Sequence, residues 1–186
     1  MLLFVGLGNP TPDSENNRHN VGFKIIDVIN KKFSLSKQKP KFKGLLTTGS
    51  IEGEKVYAIK PLTFMNNSGI CIRELLEYFK IDAENVIVFH DDLDVEFGKI
   101  KAKFGGSSAG HNGIASIDKF IGKDYSRVRI GIGKPKVKIE IGDYVLQNFD
   151  EDEIIEINKI SKNIADSIAD LIKKKLDLFS STVNNK

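Results

Sequence analysis

Apolar residues along this chain fall into short runs, several of which lead into junctions rich in glycine and asparagine. Five runs have the length of strands, and they cover residues 2–7, 45–51, 56–59, 86–89 and 127–132. The second and third flank a Glu-Gly-Glu turn at 52–54, which predicts a hairpin. Residues 99–103 alternate basic and apolar side chains, a pattern typical of a half-exposed strand.

Other apolar positions recur at helical spacing. They predict three amphipathic helices, over about 21–33, 68–79 and 112–121. A longer apolar stripe runs from Ile154 to Leu171, and Asp150 with Glu153 forms a capping-box pattern before it. We therefore predict a last long helix that opens at Asp150, followed by a frayed tail from about residue 180.

The succession of strands and helices favours an α/β fold. No internal repeat, low-complexity linker or sharp change in charge marks a domain boundary. A chain of 186 residues suits one domain, which buries roughly two-thirds of the surface of the unfolded chain. We expect residues 1–186 to form a single domain in which helices surround a mixed, twisted β-sheet.

Composition excludes several kinds of protein. Cys71 is the only cysteine, which excludes an internal disulfide and a Cys-rich zinc site and fits a reducing compartment. The N-terminus lacks the basic region and cleavage site of a signal peptide, and no apolar run reaches the roughly 20 residues of a membrane span. We therefore expect a cytoplasmic protein without a membrane partner.

Charge is unevenly distributed, although the formal net charge is only +3. Residues 98–138 contain ten Lys or Arg and two acidic residues, and residues 31–43 contain six lysines and no acid. A basic surface of this kind suits a polyanionic partner. A solvated, lysine-rich face is the alternative that the sequence leaves open.

Polar junctions rich in glycine and asparagine contain all three histidines of the chain. They read Gly-Leu-Gly-Asn-Pro at 6–10, Arg-His-Asn-Val-Gly at 18–22, Thr-Phe-Met-Asn-Asn-Ser-Gly at 63–69, His-Asp-Asp-Leu-Asp at 90–94 and Gly-His-Asn-Gly at 110–113. Open α/β sheets place their binding crevice at the carboxyl ends of strands. These junctions can therefore deliver one or two histidines, an aspartate and several carboxamides to one cleft. Such groups suit base-catalysed hydrolysis of a neutral acyl group by water, with neither a metal nor a covalent nucleophile.

His19 is the candidate base, because imidazole accepts a proton near neutral pH. Asp91, at a strand end, is its natural partner, since the base needs a group that fixes its tautomer. Asn9, Asn66 and Asn112 recur in matching contexts, and carboxamides can orient water, bind an amide or stabilise an oxyanion. A capping or packing role is the alternative for a histidine at a helix start.

Other kinds of site fit parts of the sequence. Residues 6–8 resemble the start of a dinucleotide-binding loop, but Thr11 occupies the third glycine position. His90, Asp91 and Asp94 could ligate a metal, although the other junctions offer asparagine rather than carboxylates. A metal-dependent hydrolase and a catalytically silent RNA-binding module are therefore open alternatives.

Six motifs, taken in order, carry a family resemblance. They are Val-Gly-Leu-Gly-Asn-Pro at 5–10, Arg-His-Asn-Val-Gly at 18–22, Pro-Leu-Thr-Phe-Met-Asn-Asn-Ser-Gly at 61–69, His-Asp-Asp-Leu-Asp at 90–94, Gly-His-Asn-Gly at 110–113 and Arg-Val-Arg-Ile-Gly-Ile-Gly at 127–133. Together they resemble the motifs of the bacterial peptidyl-tRNA hydrolases, monomeric enzymes that cleave the ester linking a peptide to tRNA. Beyond residue 133 the resemblance rests on Asp-Tyr-Val-Leu at 143–146 and the long final helix.

The resemblance implies a role for each candidate residue. His19 would be the general base, Asp91 would stabilise its basic form, and Asn9 would help to recognise the N-blocked peptidyl group. The residues implied to line the site for the tRNA 3′ end and the peptide are Phe64, Met65, Asn66 and Asn112. Lys103 and Arg129 would bind the tRNA 5′-phosphate beside the acceptor stem. The implied protein is a monomer without metal or cofactor, and its partner is peptidyl-tRNA.

Three segments depart from the family pattern. Ser14 stands where many members carry an aromatic residue, the loop at 105–110 has fewer glycines than some relatives, and the connection at 122–126 is short. None of these departures touches the proposed base. We therefore expect weaker substrate affinity rather than lost activity.

Overall fold

Seven strands form one mixed β-sheet in the computed structural model, which describes residues 1–186. The strands are β1 (Leu2–Gly6), β2 (Lys39–Lys41), β3 (Gly44–Ile51), β4 (Glu54–Pro61), β5 (Val86–Asp92), β6 (Ile100–Phe104) and β7 (Ser126–Gly131). Their order across the sheet is β2-β3-β4-β1-β5-β7-β6. The four strands β4, β1, β5 and β7 run parallel, and β2, β3 and β6 pair antiparallel with their neighbours. The carboxyl ends of the parallel strands therefore share one edge, where a binding crevice is expected.

Seven helices cover both faces of the sheet. They are α1 (Val21–Lys32), α2 (Ser68–Phe79), α3 (Asn112–Ile121), α4 (Ile141–Val145), α5 (Glu151–Asp166), α6 (Ile168–Ile172) and α7 (Leu176–Asn184). The pair α1 and α5 packs over one face, and the pair α2 and α3 packs over the other. Clusters of 27 and 17 buried residues fill the space between helices and sheet. The predicted single α/β domain with a mixed sheet is confirmed.

None of these helices has the length and apolar character needed to cross a membrane.

Two short elements escape prediction from the sequence. Strand β2 consists of Lys-Pro-Lys and is exposed along its whole length, and α4 has only five residues. Neither is long enough to show an apolar period. Strand β5 also extends to Asp92, because His90 and Asp91 pair with β7. These two residues therefore lie within a strand rather than in the loop that follows it.

The predicted last helix begins as expected but is interrupted. The Asp150 side chain accepts from Glu153 N at 2.8 Å, and the capping box is complete. Helix α5 then ends at Asp166, and Ser167 leaves helical geometry with φ −107° and ψ 10°. The apolar stripe continues in α6. Periodicity therefore predicts one long helix where the backbone forms two.

The chain beyond residue 180 is helical rather than frayed, which corrects the sequence prediction. Within α7, Ser180 Oγ accepts from Ala102 N at 2.8 Å. Asn184 accepts from Ile100 N and donates to Ile100 O, both at 2.9 Å. These contacts satisfy the free edge of β6, which otherwise exposes unpaired main-chain groups. The pairing joins segments about 80 residues apart and leaves no local sequence signal.

Close packing of α1 on the sheet brings His19 to the strand ends. A Cβ at Gly22 would lie 2.4 Å from Phe89 O, so only glycine permits this approach. The turn before α1 is capped by Asn17, whose Oδ1 accepts from Asn20 N at 3.1 Å. His19 lies within this turn and faces the carboxyl end of β5.

Candidate active site

His19 and Asp91 meet at the shared carboxyl edge of the sheet. The His19 Nδ1 atom lies 2.9 Å from both carboxylate oxygens of Asp91. An ionised carboxylate only accepts hydrogen bonds, so Nδ1 carries the ring hydrogen and Nε2 keeps its lone pair. No protein group is hydrogen-bonded to Nε2. This atom is therefore free to accept a proton from water.

A second histidine, His111, binds the same carboxylate. Its Nε2 lies 2.8 Å from Asp91 Oδ1, and its ring centroid is 4.9 Å from that of His19. The His111 Nδ1 atom accepts from Gly113 N and Ile114 N, at 3.1 and 3.2 Å, at the start of α3. Nδ1 therefore carries no hydrogen, and Nε2 donates to Asp91.

The two histidines keep Asp91 ionised. Burial by itself raises the pKa of Asp91, but the charges and N–H donors of His111 and His19 outweigh burial and lower that pKa below its usual range. Asp91 is thus an anion at neutral pH. A buried anion in this position can orient the imidazole of His19 and stabilise its protonated form.

The donor atoms of His19, Asp91 and His111 also lie close enough to surround a metal ion, within 4.8 Å of one another. The hydrogen bonds oppose this use. A metal on His111 Nε2 would shift the ring hydrogen to Nδ1, which already faces two backbone N–H donors. The hydrogen bonding therefore suits proton transfer better than metal ligation.

The metal site considered for His90, Asp91 and Asp94 does not assemble. His90 points to the opposite face of β5 from Asp91, and its Nδ1 donates to the Asp91 carbonyl at 2.8 Å. Burial, followed by the charge of His111, lowers the pKa of His90 to about 3. Asp94 is exposed, and its N–H donates to Asp92 Oδ1 at 2.8 Å. Asp92 and Asp94 therefore close a turn rather than converge on an ion.

Asn9 connects the ends of two parallel strands. Its Oδ1 accepts from Met65 N at 2.8 Å and so joins the end of β1 to the segment after β4. Asn20 clamps the Asn9 main chain, accepting from Asn9 N at 2.8 Å and donating to Asn9 O at 2.9 Å. The Nδ2 group of Asn9 is left as a fixed donor for a ligand.

Met65 is the anchor of the segment after β4. It is buried, and its Sδ lies so close to Gly113 that a Cβ there would approach to 2.5 Å. Phe64 has φ +62° and is 54% exposed, and Asn66 is also exposed. Asn112 is exposed at the first position of α3. Neither Asn66 nor Asn112 uses its carboxamide on another protein group, so both are available to a ligand.

A cleft of about 570 Å³ opens beside His19. One side of the cleft is formed by His19, Asp91, His111 and Asn112. The opposite wall is formed by α4 and by residues 134–135. Asn9 and residues 64–66 lie outside this lining: Met65 packs against Gly113 of α3, and the Asn9 main chain is bonded to Asn20, the residue after His19.

Arg18 connects α4 to the turn that contains His19 through hydrogen bonds and ring stacking. Its guanidinium stacks over the ring of Tyr144 at 4.3 Å and donates to Tyr144 O at 3.3 Å and to Glu153 Oε1 at 3.2 Å. Its backbone N–H donates to Gln147 O at 3.0 Å. The residue next to the candidate base thus sets the position of the opposite wall of the cleft.

Lys103 and Arg129 lie on neighbouring strands and face the same side of the sheet. Lys101 pairs with Arg129 and Lys103 with Arg127, which places all four side chains on one face. Arg129 Nε donates to Asp92 Oδ2 at 2.8 Å. Burial, followed by the charges of Arg129 and Arg127, lowers the pKa of Lys103. Lys103 and Arg129 form a basic site outside the lining of the cleft, and Asp92, which belongs to that lining, connects the two through its bond to Arg129.

Arg127 does not belong to the basic surface predicted for residues 98–138. It is 1% exposed, and it donates to Asp118 at 2.9 Å and to Ser107 O at 2.8 Å. It therefore holds the loop at 105–110 against the sheet. Strand alternation predicts its face but not the loop that covers it.

The structure brings together most of the residues that the sequence singled out. His19, Asp91 and Asn112 share the cleft, and Asn9 holds Met65 beside it. Three further residues contribute to the site without a role predicted from the sequence, namely Arg18, Asn20 and His111. Each of these residues stands within one of the polar motifs, so the motifs mark them as candidates. The sequence does not show which carboxylate or helix each of them contacts.

The fold and the site define a class of protein, an α/β protein whose cleft contains a histidine bound to a buried carboxylate. A family model described as Peptidyl-tRNA hydrolase matches residues 3–186. The Peptidyl-tRNA hydrolase of Pelagibacter ubique (strain HTCC1062) is 82% identical over 186 residues, which is 100% of both chains. That of Bartonella bacilliformis is 44% identical over 184 residues, covering 99% of this chain and 95% of the relative. The crystal structure of peptidyl-tRNA hydrolase from Acinetobacter baumannii gives a TM-score of 0.91 at 32% identity, covering 99% of this chain and 94% of that one. The chain belongs to the peptidyl-tRNA hydrolase family.

Proposed function

We propose that this chain hydrolyses the ester bond between a peptide and tRNA, with His19 as general base and Asp91 as the carboxylate that orients it. Its family membership supports the reaction, which is that of a carboxylic ester hydrolase acting on peptidyl-tRNA. The observation that carries the residue roles is the contact between His19 Nδ1 and Asp91, which leaves Nε2 unoccupied beside the cleft. All of these groups come from one chain, so a monomer suffices.

The proposed reaction begins with a water molecule at His19 Nε2. The imidazole takes a proton from the water as the oxygen attacks the ester carbonyl, and Asp91 stabilises the imidazolium that forms. Collapse of the tetrahedral intermediate breaks the bond to the ribose oxygen, which takes up the proton from Nε2. The products are the peptide carboxylate and tRNA with a free terminal hydroxyl.

Carboxamides supply the remaining polar groups of the proposed site. The Nδ2 atom of Asn9, held in place by Met65 N, can donate to a peptide carbonyl. The exposed carboxamides of Asn66 and Asn112 can donate to the oxyanion as it develops. The exposed ring of Phe64 can stack on the terminal base. Stacking by Phe64 is the more important because Ser14, which stands where many family members carry an aromatic residue, is buried.

Discrimination between blocked and unblocked substrates tests this assignment. N-acetyl-aminoacyl-tRNA should be cleaved roughly 10²-fold faster than the same aminoacyl-tRNA with a free amine, measured as kcat/KM. The reason is that a free ammonium would face N–H donors instead of acceptors, and an unsatisfied charged group costs about 2–3 kcal/mol. Equal rates on the two substrates would contradict the proposed use of the carboxamides.

Asn9→Asp provides a matched test of the same point. The variant keeps an oxygen to accept from Met65 N but replaces the Nδ2 donor by an anionic oxygen. The preference for the blocked substrate should shrink, because the carboxylate attracts the ammonium. An unchanged preference would remove Asn9 from recognition of the peptidyl group, even if hydrolysis itself continued.

Lys103 and Arg129 are proposed to bind the 5′-phosphate of the tRNA. Only the Nε atom of Arg129 is engaged by protein, so its two Nη groups and the Lys103 ammonium can all donate to an anion. Gly106 has φ +109°, and a Cβ there would come within 2.4 Å of Lys103 Nζ. Glycine at this position therefore leaves room for the ammonium beneath the loop.

Lys103→Ala and Arg129→Ala should each raise KM for full-length substrate by about tenfold, with a smaller change in kcat. A hydrogen bond to a charged group contributes about 1.5–3 kcal/mol, and this one holds the substrate without contacting the ester. The slope of log Kd against log salt should fall by up to about one unit. Lys39→Ala removes the same charge at the opposite edge of the sheet and serves as the control. If all three variants behave alike, the basic site is only a solvated surface.

A further inference from the structure

Asp92 lies at the border between the cleft, whose lining it joins, and the basic site formed by Lys103 and Arg129, and the proposed hydrolysis gives it no role. It follows Asp91 on β5 and faces the opposite side of the sheet, towards Arg129. Its Oδ2 accepts from Arg129 Nε at 2.8 Å, and its Oδ1 accepts from Asp94 N at 2.8 Å. Its side chain is 11% exposed, and that of Arg129 is 19% exposed. Asp92 is therefore a fixed internal anion beside the cations of this site.

The basic site has more positive than negative charge, because the two cations Lys103 and Arg129 face the single carboxylate of Asp92. This excess of positive charge favours binding of an anion. Asp92 is the one carboxylate hydrogen-bonded to Arg129, and Lys103 is bonded to no carboxylate. Burial by itself raises the pKa of Asp92, but the hydrogen bonds from Arg129 and Asp94 N, together with the charges of His90 and Arg129, outweigh burial and lower that pKa. Asp92 thus stays charged at neutral pH and neutralises only part of the pair formed by Lys103 and Arg129.

We propose that Asp92 moderates the affinity of the Lys103–Arg129 site for a terminal phosphate, by holding Arg129 through Nε while repelling the bound anion. The proposal rests on the 5′-phosphate assignment made above for Lys103 and Arg129. The carboxylate occupies one edge of the guanidinium, so the phosphate is confined to the Nη edge and to Lys103. A phosphate bound there lies close to the Asp92 charge, in a partly buried setting where like charges repel strongly.

Moderate affinity serves turnover in an enzyme of this kind. The substrate and the released tRNA carry the same 5′-phosphate. A higher affinity for that phosphate would therefore strengthen binding of the product as much as binding of the substrate. A built-in repulsive charge shortens the lifetime of the product complex without touching the ester-cleaving groups. Asp92 is therefore an affinity-determining residue and not a catalytic one.

Binding of a deacylated acceptor-stem minihelix tests this role. Fluorescence anisotropy would compare minihelices that end in a 5′-phosphate or a 5′-hydroxyl, and the measured quantity is the ratio of their Kd values. Asp92→Asn should increase the preference for the phosphate by about tenfold, because one repulsive charge at short range is removed. Asp94→Asn removes a charge two residues away from a side chain that is 52% exposed and should change the ratio by less than about twofold.

Two results would overturn the proposal. If Asp92→Asn leaves the phosphate preference unchanged, the carboxylate exerts no repulsion. If it lowers the preference, Asp92 merely positions Arg129. In the double variant Asp92→Asn/Arg129→Ala, the gain should disappear, since it acts through the phosphate that Arg129 holds.

The same experiment separates this proposal from the assignment on which it rests. If Arg129→Ala retains the wild-type preference for the 5′-phosphate, the 5′-phosphate site itself is wrongly placed. If Arg129→Ala abolishes the preference while Asp92→Asn fails to raise it, the phosphate site stands and only the role of Asp92 is wrong.

Discussion

Replacing His19 by alanine should lower kcat by about 10²–10⁴-fold, the usual contribution of a general base. The substitution removes Nε2, the proposed proton acceptor at the cleft, and leaves the carboxylate of Asp91 bound to His111. Single-turnover hydrolysis of N-acetyl-aminoacyl-tRNA is the appropriate measurement, because it isolates the chemical step. Affinity for deacylated tRNA should change little, since the basic site at Lys103 and Arg129 lies outside the lining of the cleft.

His111→Ala is the matched control for that experiment. It removes the other imidazole from Asp91 but spares His19 Nε2 and its hydrogen bond through Nδ1. The loss in kcat should therefore be smaller than for His19→Ala. If His19→Ala retains turnover within a few-fold of the wild type, or if His111→Ala is the more damaging change, the base has been assigned to the wrong ring.

Asp91→Asn should lower kcat by a similar factor, again about 10²–10⁴-fold, through a different cause. The carboxylate accepts one N–H from each of two histidines. His19 Nδ1 lies 2.9 Å from both carboxylate oxygens, so a carboxamide of the same shape would turn its NH₂ group towards His19 in either orientation. Facing that NH₂ group, His19 would favour the tautomer with hydrogen on Nε2, which cannot accept a proton from water.

The pH dependence of stability offers an independent check on Asp91. The folded-state pKa of Asp91 is lowered, so its charge stabilises the fold above the unfolded-state pKa of about 3.9, and this contribution is lost as pH falls through the folded-state pKa. Asp91→Asn should therefore lower Tm at pH 7. The difference from the wild type should narrow as the pH is lowered below 4. A Tm difference that is the same at pH 7 and pH 3 would mean that the charge of Asp91 does not contribute.

Strand-end reasoning anticipates the contact between His19 and Asp91, which are 72 residues apart in the chain. It succeeds because parallel strands align their carboxyl ends, so polar residues after separate apolar runs converge. The same reasoning cannot decide between His90 and His111 as the second ring at the carboxylate. That choice depends on β5 continuing to Asp92, which turns His90 to the other face.

The sequence does not predict the contacts that irregular or distant segments make with the site. Strand alternation predicts that Arg127 and Arg129 share a face, but the loop that buries Arg127 comes from residues 105–110. The wall opposite His19 depends on α4, whose five residues show no period. Its position follows from the bonds of Arg18 to Tyr144 and Glu153, which only the assembled fold brings within reach.

The docking of α7 on β6 gives this helix a protective function as well as a structural one. The side chains of Ser180 and Asn184 occupy main-chain groups of Ala102 and Ile100 that would otherwise be open to a strand from another molecule. Truncation within α7 would expose unpaired main-chain groups along β6. Copies of the chain could then associate through this strand edge. The damage would also reach the proposed phosphate site, because Lys103 is carried by that same strand. Protection against self-association and the geometry of the proposed phosphate site therefore both depend on α7, a helix that lies outside the cleft.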